Sequence, residues 1–297
     1  MKKGRKAKHA KLLTAVLSII SVIWIMPILI VLQNSFKKKT SISREPFQLA
    51  STIGSEGQNA FNRLLFTSRK SFVGLENYVN GIQKTGFFKA FADSLFITVF
   101  SVFLIILCTS MCGWYLSRVK NKITKTIYYF CVFSMIIPFQ MVMFTLSKMA
   151  DILHLGNPIG IIFVYLGFGA GLAVFMFCGF VKGIPLEIEE AAMIDGCNPL
   201  QTFFGVVLPI LKPTCITVAI LQTMWIWNDY LLPYLVLNIK KYKTIPIAIQ
   251  YLKGGYGSID MGAMMAMLVL AVIPIIVFYI ACQKYIIEGV VAGAVKG

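Results

Sequence analysis

With 297 residues, 58% of them hydrophobic and only 13% charged, the chain is too apolar for a water-soluble domain and reads as a polytopic membrane protein. Its formal charge of +16 comes from cations spread over every loop, not gathered on one face with interleaved aromatics. That argues against a nucleic-acid partner and for membrane lipids at the bilayer edges.

A basic N-terminus, residues 1–11, precedes the first of six apolar runs of about 20 residues, the length a helix needs to cross a ~30 Å hydrocarbon core. The runs are 12–32, 94–116, 126–146, 159–181, 213–237 and 261–282; the fifth carries only Asp229, and the others carry no formal charge. Backbone groups in lipid must bond within their own segment, so the fold class expected is an all-α membrane protein with six transmembrane helices. The first run is long for a signal peptide and no small-residue cleavage site follows it, so it reads as a retained helix. An even number of spans puts both termini on one side. Six basic residues before Leu12, with Arg118, Lys120, Lys122 and Lys125 between the second and third runs, mark that side as cytoplasmic. Residues 33–93 then form a long external segment and 283–297 a cytoplasmic tail.

Between the fourth and fifth runs lies the most informative stretch, residues 184–213. Pro185 suits a first helical turn, and Glu187, Glu189 and Glu190 put negative charge where the helix dipole favours it. Asp195 and Gly196 supply a stop, and Asn198 followed by Pro199 restarts the chain as N-cap and first-turn proline. Leu200, Phe203, Phe204 and Val207 then fall at helical spacing on one face. The expectation is helix, glycine turn, helix.

Glu190, Ala191 and Ala192, then Gly196 after three intervening residues, then Val206, Leu208 and Pro209 resemble the EAA loop of membrane-spanning subunits of ABC importers. GLENY at 74–78, Pro138, WNDYLLP at 227–233 and the ending EGVVAGAVKG at 288–297 extend the resemblance to most of the chain. It is most similar to the MalG-type permease of carbohydrate ABC importers, and residues 94–297 would be its core. The resemblance implies a MalF-like second permease subunit, two cytoplasmic ABC ATPase subunits that bind ATP and Mg, an extracellular sugar-binding protein, and a bacterial plasma-membrane location. It also implies that Glu190, Ala191, Ala192, Asp195, Gly196, Leu208 and Pro209 couple to the ATPase. No phosphate loop, carboxylate pair or Ser/His/Asp set occurs in the chain, so it reads as a non-catalytic transport subunit without a cofactor or metal of its own.

For the substrate path the residues offered are Trp227, Asn228, Asp229 and Tyr230, since an amide, a carboxylate and aromatic faces suit sugar hydroxyls and rings. The same aromatic residues also suit an interfacial belt, and Gln140, Gln222 and Thr223 suit hydrogen bonds between helices. Seven cysteines without a CxxC pair imply neither metal nor disulfide, and His9 and His154 are assigned no site. Residues 51–71 look longer than the family usually has and read as a loop or a contact for a particular binding protein. The segment 238–260, with Gly254, Gly255, Tyr256 and Gly257, reads as a docking loop or a plain connector. A permease for a polyol, glycerol phosphate, polyamine or peptide is the nearest alternative, and a non-transporting scaffold the more distant one.

Overall fold

The computed structural model describes residues 2–52, 60–252 and 259–294. The Gly254–Gly257 run, the last three residues of the C-terminal motif and residues 53–59 of the long external segment lie outside the described residues. Among the described residues the chain is helical, with two isolated β-bridges, Lys37 to Phe72 and Leu49 to Phe66, and no strand.

The chain forms two compact units, Met1–Phe87 with Ile249–Pro274, and Phe88–Ala248 with Ile275–Gly297. The first unit begins with α1 (Lys2–Asn34), followed by α2 (Lys39–Arg44), α3 (Ala60–Leu65) and α4 (Glu76–Thr85). Asn77 ties this unit together, donating from Nδ2 to the carbonyls of Ser35 (2.7 Å) and Lys37 (2.9 Å). Lys84 reaches Asp260 in an ion pair of 2.5 Å. Within residues 51–71, which carry no clear sequence period, α3 and the bridge at Phe66 supply order.

The second unit holds α5 (Phe87–Arg118), α6 (Lys122–Ser134), α7 (Phe139–Ile152), α8 (Pro158–Val181), α9 (Leu186–Ile194) and α10 (Pro199–Thr202). A π-helical turn (Phe203–Val207) leads into α11 (Leu208–Ile210), α12 (Lys212–Asn228), α13 (Leu231–Val236) and α14 (Ile245–Gln250), whose last two residues belong to the first unit. The long α15 (Met261–Ala294) contributes its first part to one unit and its second part to the other. Small residues let α8 approach its neighbours closely, as membrane helices require in the absence of a hydrophobic drive between them. A Cβ on Gly169 would stand 2.7 Å from Ile105 of α5 and 3.0 Å from Gln222 of α12. One on Gly171 would meet Ser134 and Cys131 of α6 at 2.5 and 2.7 Å. The core between them is apolar, with Ile105, Ile161, Tyr165, Phe177, Phe203 and Leu211 fully buried.

Four helices are long and apolar enough to cross a membrane, and six spans result if each of two bent pairs counts as one. The first, second, fourth and sixth expected runs are continuous helices. The third breaks: α6 and α7 meet at 106°. Pro138 sits at the N-cap of α7 with extended backbone (φ −61°, ψ 133°), having no N–H to continue α6 and forcing its predecessor away from helical geometry. The fifth ends early, at Asn228, because Asp229 leaves the helix (ψ 125°) before α13 begins. Every side chain in the apolar window of α1 is outside the protein interior, which suits a surface surrounded by hydrocarbon or by another subunit.

Candidate functional site

The segment after α8 is fixed at its root by a buried carboxylate. Glu189 is 1% exposed, and its carboxylate accepts from Arg118 Nε (2.9 Å) and Nη2 (2.6 Å) and from Trp114 Nε1 (2.9 Å). Arg118 Nη2 also donates to the carbonyl of Ile184 (2.9 Å) just before α9 begins. Trp114 in turn packs on Phe203 of the π-turn, ring centroids 5.5 Å apart. The last turns of α5 thus grip the segment at Ile184, Glu189 and Phe203.

Sequence alone does not separate Glu189 from Glu187 and Glu190, since all three suit the dipole of α9. Arg118, read there as a marker of the cytoplasmic side, is the partner that makes the difference. Pro185 stands at the N-cap, one residue earlier than a first-turn proline.

α9 ends as expected. Gly196 adopts φ +88°, and the N–H groups of Gly196 and Cys197 close the end of the helix on the carbonyls of Met193 (3.1 Å) and Ala192 (3.0 Å). A Cβ on Gly196 would meet nothing within 4 Å, so the demand for glycine comes from backbone conformation alone within this chain. Asn198 and Gln201 then form a reciprocal capping box, Gln201 N to Asn198 Oδ1 at 2.9 Å and Asn198 N to Gln201 Oε1 at 2.8 Å.

The following face divides in two. Phe203 and Val207 are fully buried, whereas Leu200 and Phe204 are exposed, so the four do not share one face. The π-turn adds a residue per turn and rotates the chain there. A bend of 74° between residues 199–210 and α12 follows.

The outer surface of this segment carries Leu186, Ile188, Met193, Ile194, Leu200 and Phe204, with Ile194 86% exposed. Glu190, Ala191, Asp195, Gly196 and Pro209 are exposed with them, Leu208 is half-buried, and Ala192 is buried. The outer side of this short helix, held from beneath, is thus exposed and largely apolar, with the exposed carboxylates of Glu187, Glu190 and Asp195 beside the apolar side chains.

The residues at the end of α12 do not converge on one space. Trp227 is buried, edge-on to Phe91 with centroids 5.8 Å apart. Asn228 is exposed and donates to the carbonyl of Met224 in its own helix (2.7 Å). Asp229 Oδ1 accepts from the N–H groups of Leu231 (3.0 Å) and Leu232 (3.3 Å), and Oδ2 accepts from the Tyr165 hydroxyl (3.1 Å). Tyr230 stacks on Tyr234 at 5.2 Å. Gln222 is buried and bridges helices as expected, donating to the carbonyl of Gly169 (3.3 Å). A polar groove of about 790 Å3 lies elsewhere, with Lys148, Asp151, His154, Asn157 and Lys241 among its lining residues. His154, assigned no site from sequence, stands there with φ 54°.

The family described as binding-protein-dependent transport system inner membrane component matches residues 105–291, a range that contains both the α9 segment and the Asp229 corner. The chain is 38% identical, over 98% of its own length and 99% of the relative's, to the "Probable starch degradation products transport system permease protein AmyC" of Thermoanaerobacterium thermosulfurigenes. It is 29% identical, over 99% of itself and 100% of the relative, to the melibiose/raffinose/stachyose import permease protein MelC of Bacillus subtilis. The crystal structure of a bacterial ABC transporter involved in the import of the acidic polysaccharide alginate contains a chain of the same fold. That chain matches with a TM-score of 0.74 at 19% identity, over 94% of this chain and 96% of the other. The gripped α9 segment and the bent spans therefore sit in a transport component, and the chain belongs to the binding-protein-dependent transport system inner membrane components.

Proposed function

We propose that this chain is one permease subunit of an ATP-driven importer of carbohydrates of the oligosaccharide class. In this reading it forms half of the path, with a second permease beside it, two ATPase subunits on the cytoplasmic side and a binding protein outside. The chain itself neither binds nor hydrolyses ATP; its partners do. The substrate class rests on relatives whose names give starch degradation products and melibiose, raffinose and stachyose.

The observation that carries the reading is the α9 segment: an exposed apolar face edged by Glu190 and Asp195, rooted in α5 through Glu189, Arg118 and Trp114. A partner that seizes the outer face moves a short helix tied to α5 and joined to α12 through the Gly196 turn, α10, the π-turn and α11. A movement applied there reaches two spans as a rigid-body displacement and not as a local deformation. In this reading both termini are cytoplasmic, residues 33–93 are external, residues 184–213 couple to the ATPase, and the tail from 283 lies on the ATPase side. Trp227, Asn228, Asp229 and Tyr230 remain the residues proposed for the path or its gate.

The test is uptake of labelled raffinose and malto-oligosaccharides by cells carrying Gly196→Val or Glu190→Lys, with co-purification of the ATPase from the same membranes. The expected outcome is a subunit inserted at normal abundance, loss of the ATPase and loss of uptake. Normal uptake with both variants would sink the coupling role, and an intact complex that imports neither sugar would sink the substrate class.

A further inference from the structure

Two adjoining cavities run along the start of α6. The first, of about 590 Å3, opens between the end of α5, the turn into α6 and the end of α8. Lys120, Lys122, Lys125 and Lys182 line it, and no carboxylate does. None of these four lysines makes an ion pair among the described residues. Two are held over aromatic rings: Lys125 Nζ lies 5.9 Å from the Tyr129 ring centroid, and Lys182 Nζ lies 5.5 Å from that of Tyr128.

The second cavity, of about 520 Å3, shares Tyr129 with the first and is otherwise lined by Thr126, Phe130, Val132, Phe133 and Ile136. It is apolar. From Thr126 to Ser134, where α6 ends, the helix rises roughly 12 Å at about 1.5 Å per residue, most of the ~15 Å depth of one leaflet of a ~30 Å hydrocarbon core, and Ile136 follows in the turn.

We propose that these cavities are one binding site for a single anionic phospholipid, its phosphate among the lysine ammonium groups and one acyl chain along the Tyr129 to Ile136 groove. The turn between α5 and α6 joins two membrane helices and therefore lies at a bilayer face, where phosphate groups are found. Lysines without an ion pair among the described residues, two of them over tyrosine rings, suit that depth, where amphipathic side chains bridge the apolar boundary and the headgroups. Inorganic phosphate shares the headgroup chemistry but has no use for the groove. The inference rests on α5, α6 and α8 being membrane helices, and it is independent of what the subunit transports.

The test uses the purified full chain in detergent micelles doped with dioleoylphosphatidylglycerol or dioleoylphosphatidylcholine, with retained lipid counted by native mass spectrometry. The wild-type chain should retain phosphatidylglycerol at least tenfold over phosphatidylcholine, given about 1 kcal/mol per lysine near an anionic surface. The combined Lys122→Gln, Lys125→Gln and Lys182→Gln variant should lose that preference, and the corresponding Arg variant should keep it. Phe133→Ser, in the groove, should lower phosphatidylglycerol retention about threefold, since it removes most of one apolar contact. All four side chains are exposed, so the variants should elute and melt as the wild type does. An unchanged lipid preference in the Gln variant overturns the site. So does full displacement of phosphatidylglycerol by millimolar inorganic phosphate combined with indifference to Phe133→Ser, which would make it a free-phosphate site. Neither outcome involves sugar or ATPase, so failure here leaves the import reading untouched.

Discussion

Glu189 on α9 and Lys37 just after α1 are both buried ionisable side chains, yet their surroundings meet them in opposite ways. Glu189 lies against a guanidinium and an indole N–H, with charge facing charge at 2.6 Å. Lys37 is fully buried and donates only to a backbone carbonyl, that of Glu45 at 3.0 Å. The Glu45 carboxylate is taken up by Ser68, through its backbone N–H and its hydroxyl. Burial accordingly holds the Lys37 amine down to about 8, with the Glu45 charge opposing only part of the effect. A buried charge met by a full counter-charge acts as a fastener, whereas one met by a dipole is a standing cost.

The widest breach of this contrast is Glu189→Ala. It leaves Arg118, 20% exposed at its side chain, without a counter-charge and with only the Ile184 carbonyl to accept from it, and the Trp114 N–H without its acceptor, at a cost of roughly 3–5 kcal/mol by analogy with other broken buried pairs. Thermal unfolding in detergent should show it, while Glu190→Ala on the exposed side of the same helix should fall within about 0.5 kcal/mol of wild type. Replacing both partners, Glu189→Met with Arg118→Met, should recover most of the loss, because no charge is then left stranded. Equal effects of Glu189→Ala and Glu190→Ala would refute the fastener.

Lys37 should be the more pH-sensitive of the two regions. Its folded value, about 8, lies below the ordinary 10.5, so the unfolded chain binds more protons between those two values. Stability of the first unit should therefore rise as pH increases from about 8 to about 10.5, by something on the order of 2–3 kcal/mol, and be flat below 8. Hydrogen exchange of amides in residues 35–52 across that range would register it. Lys37→Met should remove the dependence and raise stability at pH 7; a dependence that survives the substitution belongs to another group. The Lys84 to Asp260 pair in the same unit has the reverse sign. Asp260 is held below the usual carboxylate range by the Lys84 contact and the Ala263 N–H against its partial burial, so its contribution fades only as pH falls through the acid range.

Much of this was legible in the residues, and the parts that were not have a common cause. Uninterrupted apolar length produced α1, α5, α8 and α15, and local chemistry at Gly196, Asn198 and Pro199 placed the turn and the restart of the α9 segment. The breaks at Pro138 and Asp229 carried a local signal, a missing N–H and a side chain that caps the next helix, but composition over 20 residues outweighs one residue in a span reading. The burial of Glu189 had no local signal at all. Its partners lie 71 and 75 residues away, so three neighbouring glutamates look alike until α5 is packed against them. The π-turn, whose Phe203 packs on the distant Trp114, accompanies the split of Leu200, Phe203, Phe204 and Val207 between a buried and an exposed side, against the single-face expectation.

Asp229 supplies the mildest and most discriminating change, because it stands between the two extremes: a half-buried carboxylate met by a hydroxyl and two backbone N–H groups, with no cation among its hydrogen-bond partners. In Asp229→Asn the amide oxygen can still cap Leu231 and Leu232, and the Tyr165 hydroxyl need only turn from donor to acceptor. The cost should be no more than about 1 kcal/mol, whereas Asp229→Ala, which strands all three donors, should cost roughly 2 kcal/mol. Tyr165→Phe should add little in the Ala background if the two side chains act only through each other. Uptake measured beside these melting curves then separates the two roles open to this residue. A corner that merely joins α12 to α13 predicts that transport follows stability, so the Asn variant imports nearly as well as wild type. A carboxylate that faces the solute predicts the reverse: Asp229→Asn melts like the wild type and loses most of its uptake, because the charge is gone while every backbone contact that shapes the corner remains.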